Sequence, residues 1–234
     1  DGSGTIRALV GSEVTVSALV TKPAVTAAML ITTPSSTNTI QGIIRADKEG
    51  TFYDFPLTLP ARLNGSWTLI LTDEIGLSNA PFDYAIQSLP DNPPTAAVIN
   101  LRQREIRLNR DARLPVNYAA EDDLGLTGVA MIFTISGTSN EVIRPMPLPS
   151  QAGQGVKAMQ GESQIALDDP LFAAAPRVAF RLRATDNLPG PLKGPQSGNS
   201  DTFTIILDEQ AASWKEQVLT SQDNRVQQGL KQLQ

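Results

Sequence analysis

One short phrase occurs twice in this chain. Residues 67–73 read WTLILTD and are followed by EIGLSN; residues 180–186 read FRLRATD and are followed, after a Gly/Pro-rich stretch, by NSD at 199–201. A second pair lies upstream, AMLI at 28–31 and AMIF at 130–133. The offset is 102 residues for the upstream pair (28 to 130) and 113 for the downstream pair (67 to 180), so the later copy is longer by eleven. Two matches in the same order point to one supersecondary unit duplicated in tandem, with an insertion in the second copy. A chain built this way folds as a string of modules, each burying its own core. Strings of small modules commonly reach, space or adhere.

The pattern between the matches is that of short strands. From Ile6 to Val20 apolar and polar residues alternate, with Val14, Val16 and Ala18 on one face and Thr15 and Ser17 on the other. Further strands are expected at 26–32, 51–59, 66–72 and 80–89, the middle two joined by a hairpin at Asn64-Gly65, where both residues tolerate positive φ. The run PDNPP at 90–94 cannot continue a ladder and stiffens the joint. Beyond it, strands are expected at 96–101, 105–108, 112–119, 129–136, 164–167, 177–184 and 202–207, with a turn at 121–126. The stretch from Pro145 to Gly161 lacks any hydrophobic period and reads as the inserted loop. Six or seven short strands in each of two modules make the expected fold mainly β, two tandem immunoglobulin-like sandwiches.

The tail differs. Residues 208–234 have no Gly or Pro before Gly229, and Trp214, Val218, Leu219, Val226, Leu230 and Leu233 fall near one stripe, which predicts a C-terminal α-helix and the start of a coiled coil. The expected organisation is therefore 1–90, 91–207 and 208–234. The chain starts at Asp1 without Met and stops inside this helical pattern, so it reads as a segment of a longer protein.

Composition excludes several function classes. The 234 residues contain no Cys and no His, which removes disulfides, thiolate metal sites, the commonest general base and the commonest transition-metal ligand. A formal net charge of −5 argues against nucleic-acid binding, which needs a basic footprint. The sequence has no run of 18 apolar residues.

AAEDDLGL at 119–126, RATDN at 183–187, NSDTFTI at 199–205 and the polar helix after them resemble a bacterial membrane-anchored family of unknown function. The resemblance is clearest over 91–234; in the first module Lys22-Pro23 stands where Glu121, Asp122 and Asp123 stand in the second. It implies transmembrane segments ahead of tandem Ig-like, cadherin-like domains, a long coiled coil after them, and an extracytoplasmic setting in the periplasm or cell envelope. It implies no established activity.

One cluster invites a chemical reading. In a sandwich of this topology Asp122, Asp123, Asp186, Asn187 and Asp91 would approach the same end, and such a set of carboxylate and amide oxygens is what Ca²⁺ requires. The same residue types cap turns, since Asp and Asn satisfy local backbone donors. No other cofactor is expected. The remaining motifs have plainer explanations. The glycine pair at 153 and 155 lacks a phosphate-loop ending, and Trp67 and Tyr53 sit at alternating positions suited to a core rather than a sugar platform. Arg102, Arg104, Arg107, Arg110 and Arg113 suit a solvated strand face, and the Glu121/Asp122 and Asp168/Asp169 pairs are too close in sequence to straddle a glycosidic bond. The expectation is a non-enzymatic scaffold or spacer with a protein partner or self-association through the helix. A carbohydrate-binding or adhesion module is the alternative.

Overall fold

The computed structural model describes residues 4–137, 140–148 and 155–220, and the chain divides into two compact units, Asp1–Asp91 and Asn92–Gln234. The first contains β1 (Ile6–Leu9), β2 (Glu13–Val20), β3 (Thr26–Thr32), β4 (Thr37–Gln41), β5 (Ile43–Asp47), β6 (Gly50–Thr58), β7 (Asn64–Thr72) and β8 (Tyr84–Leu89). The second contains β9 (Thr95–Val98), β10 (Glu105–Leu108), β11 (Arg113–Ile135), β12 (Glu141–Met146), β13 (Val156–Ala166), β14 (Arg177–Asp186), β15 (Ser197–Asn199) and β16 (Phe203–Leu207).

In the first unit a five-stranded sheet, ordered β1-β8-β7-β3-β4, faces a three-stranded sheet ordered β2-β6-β5. Met29, Ile31, Trp67 and Ile86 from the larger sheet meet Tyr53 and Phe55 from the smaller, all buried, so the alternation seen in the sequence becomes the core of a two-layer sandwich. The second unit repeats the order as β10-β16-β14-β11-β12, with β9 and β13 paired to the other half of β11. In both units an early strand runs parallel to the last, β1 beside β8 and β10 beside β16. This is an immunoglobulin-like strand order.

The duplicated phrases occupy equivalent ladders. Met29 pairs Leu69 and Ile31 pairs Trp67; Met131 pairs Leu182 and Phe133 pairs Phe180. Counting four residues on from Leu69 and Leu182 reaches Asp73 and Asp186, so the register matches residue for residue.

Several expectations need correction. Asn64 and Gly65 open β7 and make no hairpin turn, because β6 and β7 belong to different sheets. Gly65 is needed for another reason: a Cβ there would lie 2.1 Å from the Thr32 carbonyl oxygen. The expected turn at 121–126 lies inside β11, where the ladder to β13 shifts between Glu121 and Leu126. Gly125, at φ +106°, lets the chain bend there, between the half of β11 that pairs β9 and β13 and the half that pairs β12 and β14. The expected loop 145–161 ends at Val156, since Val156 to Gly161 belong to β13 and Val156 and Met159 are buried. Five of the eleven extra residues lie between β13 and β14, ten residues (167–176) against five (59–63) in the first unit. This longer connection carries the 3-10 helix Pro170–Phe172, whose Phe172 ring is fully buried 5.4 Å from Phe133.

The terminal helix begins at Trp214; residues 208–213 are turn and coil. Ser213 and Glu216 form a reciprocal capping box, with the Ser213 N–H donating to Glu216 Oε2 at 2.9 Å and the Glu216 N–H to Ser213 Oγ at 3.4 Å. Trp214 packs on the core of the second unit, and Gln217 Nε2 donates to the Arg107 carbonyl at 2.7 Å, so the first turn is docked rather than presenting a free seam. Val226, Leu230 and Leu233 lie outside the described residues, and no described helix is long and apolar enough to cross a membrane.

Because Phe172 in the β13–β14 connection and Met159 in β13 are both buried in the core, Phe172→Ala is expected to cost about 3–5 kcal/mol and Met159→Ala about 2–5 kcal/mol. Urea unfolding will read both, with the exposed Ile143→Ala close to neutral as the control.

Candidate functional site

The duplicated Thr-Asp phrase closes a loop in each unit by the same bonds. In the first unit Asp73 N–H donates to the Leu77 carbonyl at 2.9 Å, and Leu77 N–H returns a bond to Asp73 Oδ1 at 2.9 Å. Asp73 Oδ1 also accepts the Ile75 N–H at 3.1 Å, while Thr72 and Ser78 share a hydroxyl contact of 2.8 Å. In the second unit Asp186 N–H donates to the Gln196 carbonyl at 3.1 Å and Gln196 N–H donates to Asp186 Oδ1 at 2.8 Å. Asp186 Oδ1 accepts the Leu188 N–H at 3.0 Å, and Thr185 and Ser197 stand 3.2 Å apart through their hydroxyls. A carboxylate is used because one oxygen can accept two backbone donors that the loop would otherwise leave unsatisfied.

The second carboxylate oxygen separates the units. Asp73 Oδ2 accepts from Lys22 Nζ at 2.6 Å, Lys22 coming from the β2–β3 connection. In the second unit the corresponding crossover holds Asp122, whose Oδ2 accepts the Leu124 and Gly125 N–H groups at 2.9 and 2.7 Å. Asp186 is fully buried, and its Oδ2 has no hydrogen-bond partner; the same holds for Asp122 Oδ1. Asp122 caps Gly125, which adjoins Leu126, the ladder partner of Asp186, so the two aspartates lie on neighbouring segments.

The electrostatics follow. The Lys22 ammonium first, and then the Leu77 N–H, hold the Asp73 carboxyl below the usual carboxylate range. Burial lifts the Asp122 carboxyl above it, against the pull of the Gly125 and Leu124 donors, and the Asp123 and Asp186 charges push the same way.

Of the five residues singled out in the sequence, the fold uses Asp122 and Asp186 as turn caps on neighbouring segments. Asp123 and Asn187 are exposed, and Asp91 is the last residue of the first unit. Among the described residues no group of three or more His, Cys, Asp or Glu side chains is arranged to hold a metal. Sequence reasoning missed the role of Lys22, although its position opposite the acidic run was visible.

Most of the other singled-out residues make structural contacts; Gly153 lies outside the described residues. Arg104 pairs Asp201 at 2.7 Å, Arg113 pairs Asp168 at 3.0 Å, and Arg110 donates to the Phe172 and Ala175 carbonyls, so these cations face partners distant in sequence. Asp169 caps the Leu171 N–H and pairs Arg144. Trp67 and Tyr53 are buried, with Trp67 stacked on Tyr84 at 4.6 Å and Tyr53 Oη donating to the Ala24 carbonyl.

No family model and no curated protein matches the chain. Solved structures resembling it include the Clostridium thermocellum CbhA fibronectin(III)-like modules, 11% identical over 88% of this chain and 91% of that one with a TM-score of 0.32. The titin domains z1z2 in complex with telethonin are 15% identical over 89% and 93%, TM-score 0.31. Titin domains A168–A170 are 15% identical over 89% and 63%, TM-score 0.35. The immunoglobulin-like assignment rests on the strand order and not on these values.

The two loops are expected to answer acid with opposite signs. The folded pKa of Asp73 is lowered, so its stabilisation is present above the unfolded value of about 3.9 and is lost as the pH falls through the folded pKa. The folded pKa of Asp122 is raised, so its contribution is full below about 3.9 and is lost as the pH rises through the folded pKa. Lys22→Met should therefore lower the melting temperature at pH 7 and flatten the acid dependence. Asp122→Asn should raise it at pH 7 in metal-free buffer, with the advantage shrinking towards about pH 4. Calorimetric melts across pH read both.

Proposed function

We propose that this chain is a non-enzymatic structural segment of a bacterial envelope protein, two Ig-like units that space or present a helical region and receive a protein partner outside the cytoplasm. The parent protein is anchored to the membrane elsewhere. The observation that carries this reading is the repetition itself: two units with one order in the sheet that holds the duplicated strands and one loop closure, in which Asp73 and Asp186 each cap backbone donors through one carboxylate oxygen. Reuse of an architecture with no reactive group in common is what spacing demands.

The surface supports a protein partner over a sugar. Sugar platforms need exposed aromatic faces, and among the described aromatics only Phe82, 68% exposed, is a large exposed one. Aliphatic side chains are exposed in the first unit instead, among them Leu19, Ile43, Ile44, Ile75 and Leu77. The grooves are modest and edged by charge, as in the 350 Å³ hollow lined by Leu19, Leu77, Lys22 and Asp73.

Sedimentation velocity on the whole chain and on a chain ending at Thr220 tests the helical part. Concentration-dependent association of the whole chain, lost in the shorter one, is the expected result. Affinity electrophoresis in envelope polysaccharides should show no retardation; retardation abolished by Phe82→Ala would replace the scaffold with a carbohydrate-binding module.

A further inference from the structure

The two units present a natural substitution at one point of the fold. Where the first places an ammonium on the free oxygen of its loop aspartate, Lys22 on Asp73 Oδ2, the second has another carboxylate at the equivalent crossover, Asp122, which caps Gly125 beside Leu126, the ladder partner of Asp186. The exchange turns a neutral pair into one of charge −2 and leaves two buried oxygens, Asp122 Oδ1 and Asp186 Oδ2, with no hydrogen-bond partner. Asp186 is 0% exposed, so solvent does not screen it. Buried polar atoms are paired as a rule, and each exception calls for an explanation. Two carboxylates near one another also repel, at a cost that low dielectric magnifies.

We propose that the second unit binds a divalent, oxygen-liganded cation of the calcium type between Asp122 Oδ1 and Asp186 Oδ2, in the position that the Lys22 ammonium takes in the first unit. The charge decides the valence: replacing an ammonium by a carboxylate removes two positive charges from the pair, and a divalent ion restores neutrality. The donors decide the class, because carboxylate oxygen suits hard cations and the chain has neither His nor Cys to favour a transition metal. Both carboxylates are fixed in advance, each holding two backbone N–H groups with its other oxygen. Asp122 also borders an open groove of about 310 Å³ with Glu121, Asp123 and Lys157, which gives a hydrated ion a path. Two carboxylates fill only part of a calcium shell, and water or backbone carbonyls complete it. That donor set belongs with the weak sites of extracellular modules, with Kd on the order of 10⁻⁴–10⁻³ M.

Calorimetric melts of the whole chain in chelator and in millimolar CaCl2 or MgCl2 test the proposal. Calcium is expected to raise the melting temperature of the second unit by several degrees, magnesium by less, and chelator to reverse both. Asp122→Lys, which recreates the pairing of the first unit, should melt above wild type in chelator and ignore calcium. If that variant fails to fold by circular dichroism, Asp122→Asn keeps the acceptor for Leu124 and Gly125 while removing one charge, and it should lose most of the calcium response. Coincident wild-type melts in calcium and chelator overturn the site, and a simultaneous gain in stability between pH 7 and 5 would assign the orphaned oxygens to a shared proton. A calcium response that survives intact in Asp122→Asn overturns it as well, since the ion would then act elsewhere.

Discussion

The fold of each unit depends on an aspartate at the end of a central strand. Asp73 directly follows β7 and Asp186 ends β14, the strands that carry the buried Trp67 and Phe180, and each must let the chain leave the sheet without stranding backbone donors. One carboxylate oxygen does this by accepting an N–H two residues on and another from the returning segment. The returning segment can then be near or far. In the first unit it arrives four residues later at Leu77, in the second ten residues later at Gln196, and the bonds are the same. An anchor so tolerant of loop length explains how the copies diverged there while keeping their register.

The second unit adds to this plan in its connections. Its core cluster takes in Phe172 and Ala175 from the β13–β14 connection, and Arg110 ties the carbonyls of the same two residues. A longer connection is stable here because it buries an aromatic ring and satisfies its own carbonyls, the conditions under which irregular backbone tolerates burial.

The repeat, the strand type and the sandwich were legible because alternation reports which face is buried, and both β2 and β14 alternate cleanly. Edge strands β4 and β5 were not legible: β5 is exposed at every position, so burial leaves no period to read. Asn64-Gly65 misled because glycine serves close backbone approach as readily as a turn, and only the Thr32 carbonyl beside it decides between them. At the candidate site the acidic residues were visible, but their geometry was not. Asp123 and Asn187 face solvent while Asp122 and Asp186 turn inward, a distinction set by the bend at Gly125 and by loop closure. The Lys22 counterpart became meaningful once the equivalence of Asp73 and Asp186 was established by strand pairing.

The parallel pairing of an early strand with the last gives each unit a mechanical character. β1 and β8 lie side by side from Ile6↔Ile86 to Leu89, β10 and β16 from Glu105↔Thr204 to Leu207; the chain enters the first unit by β1 and leaves by β8, while in the second the short β9 on β11 precedes β10. Tension between the two ends of the first unit, or between β10 and β16 in the second, therefore pulls these strands along their length in opposite directions. The ladder bonds run across that direction and are loaded together in shear, so none can be peeled away ahead of its neighbours. An antiparallel pair joined to the same ends would open one bond at a time.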